Sequence, residues 1–284
     1  LLTVLAFNIL IILFKVFHKL NIDNLQALIA NYFTAGLCGI YFSDQEFSIN
    51  YILNAPWLMH AVVIGILFIV VFNFYATGTQ KVGIAITTIA NKLSLFVPVG
   101  FALMLYPNEE LTLVKIIGFI LAVVGIYLSS TTKKKLSFDK KYLWLIVIVF
   151  VGQGIADTIF NHAQQTLVGD ADKSLFFTVL FMMAGISGVF ILIGKSVKKR
   201  KPIKFKNIIG GVIFGIPNFA SLIFFFNALE SSGFTASQVF PVVSMGVIVV
   251  SALVGLILFK EKLSTMNWIG LGFAVLSIFM ITFL

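Results

Sequence analysis

Charge is scarce in this sequence: of 284 residues only 11% are Asp, Glu, Lys or Arg, where a soluble domain carries roughly 25%. That scarcity excludes a soluble enzyme, a disordered chain and a nucleic-acid binder. The net charge of +9 does not reopen the last of these, because in a membrane protein Lys and Arg chiefly set orientation. There is one cysteine, Cys38, so no internal disulfide can form. The three histidines, His18, His60 and His162, are scattered with Cys38 at spacings that build no zinc site. No metal and no cofactor are expected. Catalytic signatures are missing too. There is no Gly-x-Ser-x-Gly elbow and no His-x-x-x-His pair. The glycine-rich run Gly210–Gly215 lies in an apolar stretch and lacks the Lys-Ser/Thr of a phosphate-binding loop. The sequence reads as a non-enzyme.

Hydrophobic residues are what the chain has in excess, at 60%, with a mean hydropathy of +1.06. A helix crosses a bilayer with roughly 20 apolar residues. Ten stretches qualify: 1–17 (clipped at its start), 25–42, 57–77, 83–105, 114–130, 142–162, 174–194, 207–228, 233–259 and 265–284. The first has no small-residue cleavage site and is followed by further spans, so it reads as a span and not as a signal peptide. In lipid every backbone polar group must bond within the protein, which makes the stretches helices. Trp57, Trp144 and Trp268 each stand near the start of a span, where interfacial anchors are found.

The connections separate by charge. Those joining spans 1–2, 3–4, 5–6, 7–8 and 9–10 hold 17 of the 20 Lys and Arg, a balance of +14, while the opposite set balances at −5. Lys92 and Asp157 lie inside spans. The positive-inside rule makes the basic side cytoplasmic and sends both termini outward.

The two halves repeat at an offset of 152 residues. Glu109-Glu110-Leu111-Thr112 matches Glu261-Lys262-Leu263-Ser264, Ile117-Gly118 matches Ile269-Gly270, and Phe72, Phe74 and Ala76 match Phe224, Phe226 and Ala228. Gly118, Ala122 and Gly125 recur as Gly270, Ala274 and Ser277, on one helix face suited to close packing. The expected fold is an all-α integral membrane protein: ten transmembrane helices in two inverted five-helix repeats. The expected division is 1–130, a basic linker 131–141, and 142–284. Five spans per repeat, an odd number, force the halves into opposite orientations, an arrangement typical of secondary transporters with a midplane site.

On these features the chain resembles the drug/metabolite transporter superfamily, in particular its EamA-type branch. The residues that carry the resemblance run from Pro98 through Glu109–Thr112 to Gly118 and Gly125, and again from Pro241 through Glu261–Ser264 to Gly270. The resemblance implies a small-metabolite permease or exporter with a central cavity between the halves. It departs from the family pattern in three ways. The two prolines stand at unequal distances from their acidic turns. Asn31 stands where a basic residue is common. The family's termini are usually drawn in the cytoplasm, whereas the charge count followed here puts them outside.

Ionisable and polar residues inside spans are the candidate site. Thr87, Thr88, Asn91, Lys92 and Ser94 share an arc of roughly 160° on one helix, with Lys92 too deep to snorkel easily. Lys92 would meet an anionic group of a substrate or pair with a carboxylate. Gln153, Asp157, Asn161 and Gln164 form a second stripe, within roughly 80°. Asp157 is the partner expected for Lys92, a proton carrier, a contact for a substrate amine, or a shallow hydrated residue. Asn73 and Asn218, in repeat-related spans, could bond a substrate or bridge helices. Lys15 and His162 read as interfacial, and Glu109 and Glu261 as serving helix N-termini.

The functional expectation is a secondary transporter of small polar metabolites such as amino acids or organic acids, in the plasma (inner) membrane. It would work by alternating access, two inverted five-helix bundles rocking about the midplane. A non-transporting scaffold or receptor, and an intramembrane enzyme, are the rival readings. Expected partners are a small-molecule metabolite and the lipid bilayer, with a homodimer left open and nucleic acid excluded.

Overall fold

The computed structural model describes residues 1–43, 47–81, 112–130, 143–198, 202–259 and 264–283, with residues 91, 94, 97, 98 and 101. The described residues are all helix, turn or coil, with no strand. The helices are α1 (Leu2–Lys19), α2 (Asn24–Tyr41), the short α3 (Ile49–Asn54), α4 (Leu58–Lys81), α5 (Leu113–Ser130), α6 (Leu143–Thr166), α7 (Lys173–Lys198), α8 (Phe205–Ser231), α9 (Ala236–Phe259) and α10 (Thr265–Phe283). A 3-10 turn, Asp170–Asp172, leads into α7. Among the described residues, three stretches are apolar and long enough to cross a membrane: Leu58–Tyr75, Asp170–Gly194 and Phe205–Ser231. The expected span 83–105 and the linker 131–141 fall largely or wholly outside the described residues.

Helix ends follow local chemistry. The Asp23 side chain accepts hydrogen bonds from the backbone N–H groups of Leu25 and Gln26 and so caps α2. Ser48 caps α3 in the same way, through the Tyr51 N–H. Trp57 follows α3 closely in sequence. It is wholly buried, edge-on to Phe176 of α7 at 5.9 Å. The interfacial role expected of Trp57 is therefore corrected: its place near a span start fixed its depth but not its direction. Trp144 and Trp268 are exposed, as interfacial anchors would be.

The most extensive helix contacts are α5 with α10, α2 with α8, α2 with α7, α4 with α7, α4 with α6, and α1 with α8. Small residues permit them. A Cβ on Gly211 of α8 would collide with the carbonyl oxygen of Ala27 on α2, and one on Gly65 of α4 with that of Leu180 on α7. Where α5 meets α10, the Ser277 hydroxyl donates to the Gly118 carbonyl at 2.8 Å. This bond brings Gly118 and Ser277, one residue from each expected small-residue face, together.

Two clusters fasten the ends. At the basic end, Gln26 Oε1 accepts from Asn207 Nδ2 (2.7 Å) and from the Lys204 N–H, and Gln26 Nε2 donates to the Pro202 carbonyl. The Asp23 N–H closes the knot on Asn207 Oδ1. Toward the acidic end, phenylalanines pack the interior. Phe160 of α6 stacks on Phe225 of α8 at 5.9 Å and meets Phe226 at 6.1 Å, and Phe225 meets Phe240 of α9 at 5.2 Å.

Candidate functional site

The site begins with the close approach of α6 to Ser94 and Val97. Gly154 makes it possible: a Cβ there would lie 2.6 Å from Val97 Cγ2 and 3.3 Å from the Ser94 carbonyl oxygen. At this distance the neighbouring Gln153 reaches across. Asn91 Nδ2 donates to Gln153 Oε1 at 3.3 Å, and Gln153 Nε2 donates to Asp157 Oδ1 at 2.9 Å. The Ser94 hydroxyl donates to the Asn91 carbonyl at 2.5 Å. The result is a one-way relay, amide to amide to carboxylate, along one face of α6. Its three members are partly buried. The relay stabilises a carboxylate inside an apolar helix by charge-assisted hydrogen bonding.

Lys92 and Thr88, expected beside Asn91, lie outside the described residues. Beyond Asp157 the stripe continues with Asn161 and Gln164, which are 2% and 9% exposed. Asn161 Oδ1 and Gln164 Oε1 are buried without a hydrogen-bond partner.

The two remaining candidates make hydrogen bonds of their own. Asn73 Nδ2 donates to the Ile69 carbonyl of its own helix at 2.9 Å. Asn218 Nδ2 donates to Asn31 Oδ1 at 3.0 Å, linking α8 to α2. Asn31 is 1% exposed and its Nδ2 is unpartnered. Sequence reasoning registered Asn31 only as a departure from a family pattern; a polar residue in mid-span was the signal available. Asn8, which shares a face of the first span with Lys15 seven residues on, bonds to backbone. Its Nδ2 donates to the carbonyls of Val4 (2.8 Å) and of Val247 on α9 (3.3 Å).

A further group at the acidic end was hidden in the charge count. Lys173 Nζ lies 2.8 Å from Asp170 Oδ1, 2.7 Å from Glu230 Oε2 and 2.8 Å from Asn227 Oδ1. It also stands 5.0 Å from the centre of the Phe226 ring. A lysine among Asp170, Asp172 and Glu230 was the clue. Nearby, the Tyr51 hydroxyl donates to Asp172 Oδ1 at 2.6 Å, which pushes the phenol above its usual range. His60 and His162 face each other at 5.7 Å between α4 and α6.

The family described as sugar transport protein matches residues 99–284. The chain belongs to this family. It is thus an integral membrane protein of a transporter family, a conclusion with which the long apolar helices agree. The match supports the transporter character that the drug/metabolite resemblance implied; it does not single out the EamA-type branch. An uncharacterized protein of Haemophilus influenzae (strain ATCC 51907 / DSM 11121 / KW20 / Rd) is 28% identical over 280 residues, covering 96% of this chain and 93% of that protein. A crystal structure described only as that of a "protein" superimposes with a TM-score of 0.74 at 14% identity, over 99% of this chain and 94% of that one. That likeness shows the fold alone.

Proposed function

We propose that this sugar transport family member is a secondary transporter of small polar metabolites, with the Asn91–Gln153–Asp157 relay at the centre of its site. The relay is the observation that carries the reading. It places hydrogen-bonding groups on an inner helix face where lipid-facing residues would be apolar. Lys92, Thr88, Asn161, Asn73 and Asn218 complete the proposed binding set. The amides suit hydroxyl groups, and the printed description of the family favours a sugar or polyol over the amino acids and organic acids expected from Lys92. No enzymatic activity is proposed, and Asp157 is the proposed proton carrier if transport is proton-coupled.

The inverted repeat is supported by the helix contacts. Exchanging the halves turns α2–α8 into α7–α4 and α1–α8 into α6–α4, and returns α2–α7 and α5–α10 to themselves; all of these are close pairs. The contact of Gly246 on α9 with Val4 on α1 corresponds to that of Gly154 with Val97. These pairs join the sequence halves to each other. The bodies that rock therefore mix helices from both: α1, α2, α8 and α9 in one, and α4, α6, α7 with Asn91, Ser94 and Val97 in the other. Such motion exposes a midplane site to each side in turn. The charge bias favours the plasma (inner) membrane with the basic end cytoplasmic, and the EamA-type branch and the 1–130/142–284 division remain part of this reading.

The test is a melting-temperature screen of detergent-purified protein against sugars, polyols, amino acids and organic acids. A ligand selective for the folded state raises apparent stability by mass action. The expected result is a shift with a hydroxylated solute that Asp157→Asn weakens. Equal shifts in parent and variant would remove the relay from the site.

A further inference from the structure

The stripe on α6 is divided in its hydrogen bonding. Its inner members, Gln153 and Asp157, bond to each other and to Asn91. Its outer members, Asn161 and Gln164, each hold a carbonyl oxygen shut away from water with nothing to bond it. Native interiors leave few such groups. Two of them three residues apart on one helix face are within reach of a single small ligand. They lie roughly 6 and 10 Å beyond Asp157 along the axis, toward the acidic end, at 1.5 Å per residue.

The chemistry around them is specific. Both groups are neutral amides, each able to donate and accept, so they match O–H groups in either sense and offer no compensation for a net charge. Phe160, between Asp157 and Asn161 in sequence, is buried among Phe176, Phe225 and Phe226. An aromatic wall beside paired amides accommodates a solute with C–H groups on one flank and hydroxyls on the other.

We propose that Asn161 and Gln164 form a hydroxyl-binding subsite for a neutral polyhydroxylated solute, between the Asp157 relay and the acidic end of the bundle. The assignment rests on the transporter reading above and deepens it: the solute passes this subsite on its way to or from the relay. A buried carbonyl oxygen with no partner stabilises nothing in the empty protein, so an apolar near-isostere is tolerated or better there. The amide becomes useful only when the solute is bound.

The experiment uses full-length protein with Asn161→Leu, Gln164→Met and the double variant, with Asn161→Ser as a smaller change that keeps a hydrogen-bonding group, a hydroxyl in place of the amide. Melting temperature is read without solute, and again across a titration of neutral monosaccharides and alditols. The same proteins are then assayed for uptake in liposomes. The expected result is an unchanged or higher melting temperature without solute, together with an affinity and an uptake KM weakened about tenfold for each single variant, the scale of one neutral hydrogen bond. Variants that melt lower without solute yet bind with parental affinity would overturn the subsite and leave the transporter reading intact. A parent that responds only to amino acids or organic acids, with variants following it, would also overturn the subsite alone. A parent that binds and transports nothing in any class would overturn both.

Discussion

Gly154 and its neighbour Gln153 carry the argument at the scale of single residues. A methyl group on Gly154 would stand 2.6 Å from Val97 Cγ2, so the helix and Val97 must part to admit it. Overpacking of this kind costs about 1–3 kcal/mol. Gly154→Ala should therefore melt several degrees below the parent and weaken solute binding, because Gln153 loses its reach to Asn91. Parental stability and binding in that variant would show that the close approach is unimportant. Asp157 allows a separate prediction. If it carries the coupling proton, Asp157→Asn should abolish uptake driven by an imposed pH gradient while retaining exchange of solute for solute. Lys173 belongs at this scale as well. Replacing it with Met breaks exposed contacts to Asp170 and Glu230 and should lower the melting temperature only slightly, by an amount that shrinks as salt is added.

Among the helices, length and hydropathy made most elements legible. The span expected at 25–42 is Asn24–Tyr41, and that at 265–284 is Thr265–Phe283. A bilayer sets the length of an apolar run, so such bounds are written into composition. The six-residue α3 was not legible, being too short and too polar to register beside the spans. Periodicity revealed the α6 stripe because four polar residues recur on one face. It could not reveal Asn91–Gln153 or Asn31–Asn218, since partners on different helices depend on the packing of the whole. The α2–α8 contact gives the test for this scale. Gly211→Val would drive a side chain into the Ala27 carbonyl and should destabilise the protein more than the equivalent change at Gly194, which has open space around it.

For the molecule as a whole, the account makes claims about topology and motion. With Cys38 replaced by Ser, a membrane-impermeant thiol reagent applied to intact cells should label Ser232→Cys at the acidic end and spare Lys204→Cys at the basic end. The opposite pattern would invert the orientation. Motion can be tested with paired cysteines. Gln26→Cys with Asn207→Cys joins α2 to α8 within one proposed body, and bridging them should leave transport running. Phe160→Cys with Phe225→Cys joins α6 to α8 across the two bodies at the acidic end, and bridging them should stop it. Arrest by the first bridge and not the second would contradict the mixed bodies.

The central claim is that the chain moves a polar solute across a membrane through a site built on the Asn91–Gln153–Asp157 relay. Uptake of radiolabelled sugars, polyols, amino acids and organic acids into liposomes holding the purified protein tests it most directly, with Asp157→Asn and Gln153→Leu measured alongside. The account predicts saturable uptake of a hydroxylated solute well above protein-free liposomes, with either substitution raising the KM or abolishing the flux. Uptake indistinguishable from protein-free liposomes for every solute, by protein that remains folded, would contradict it.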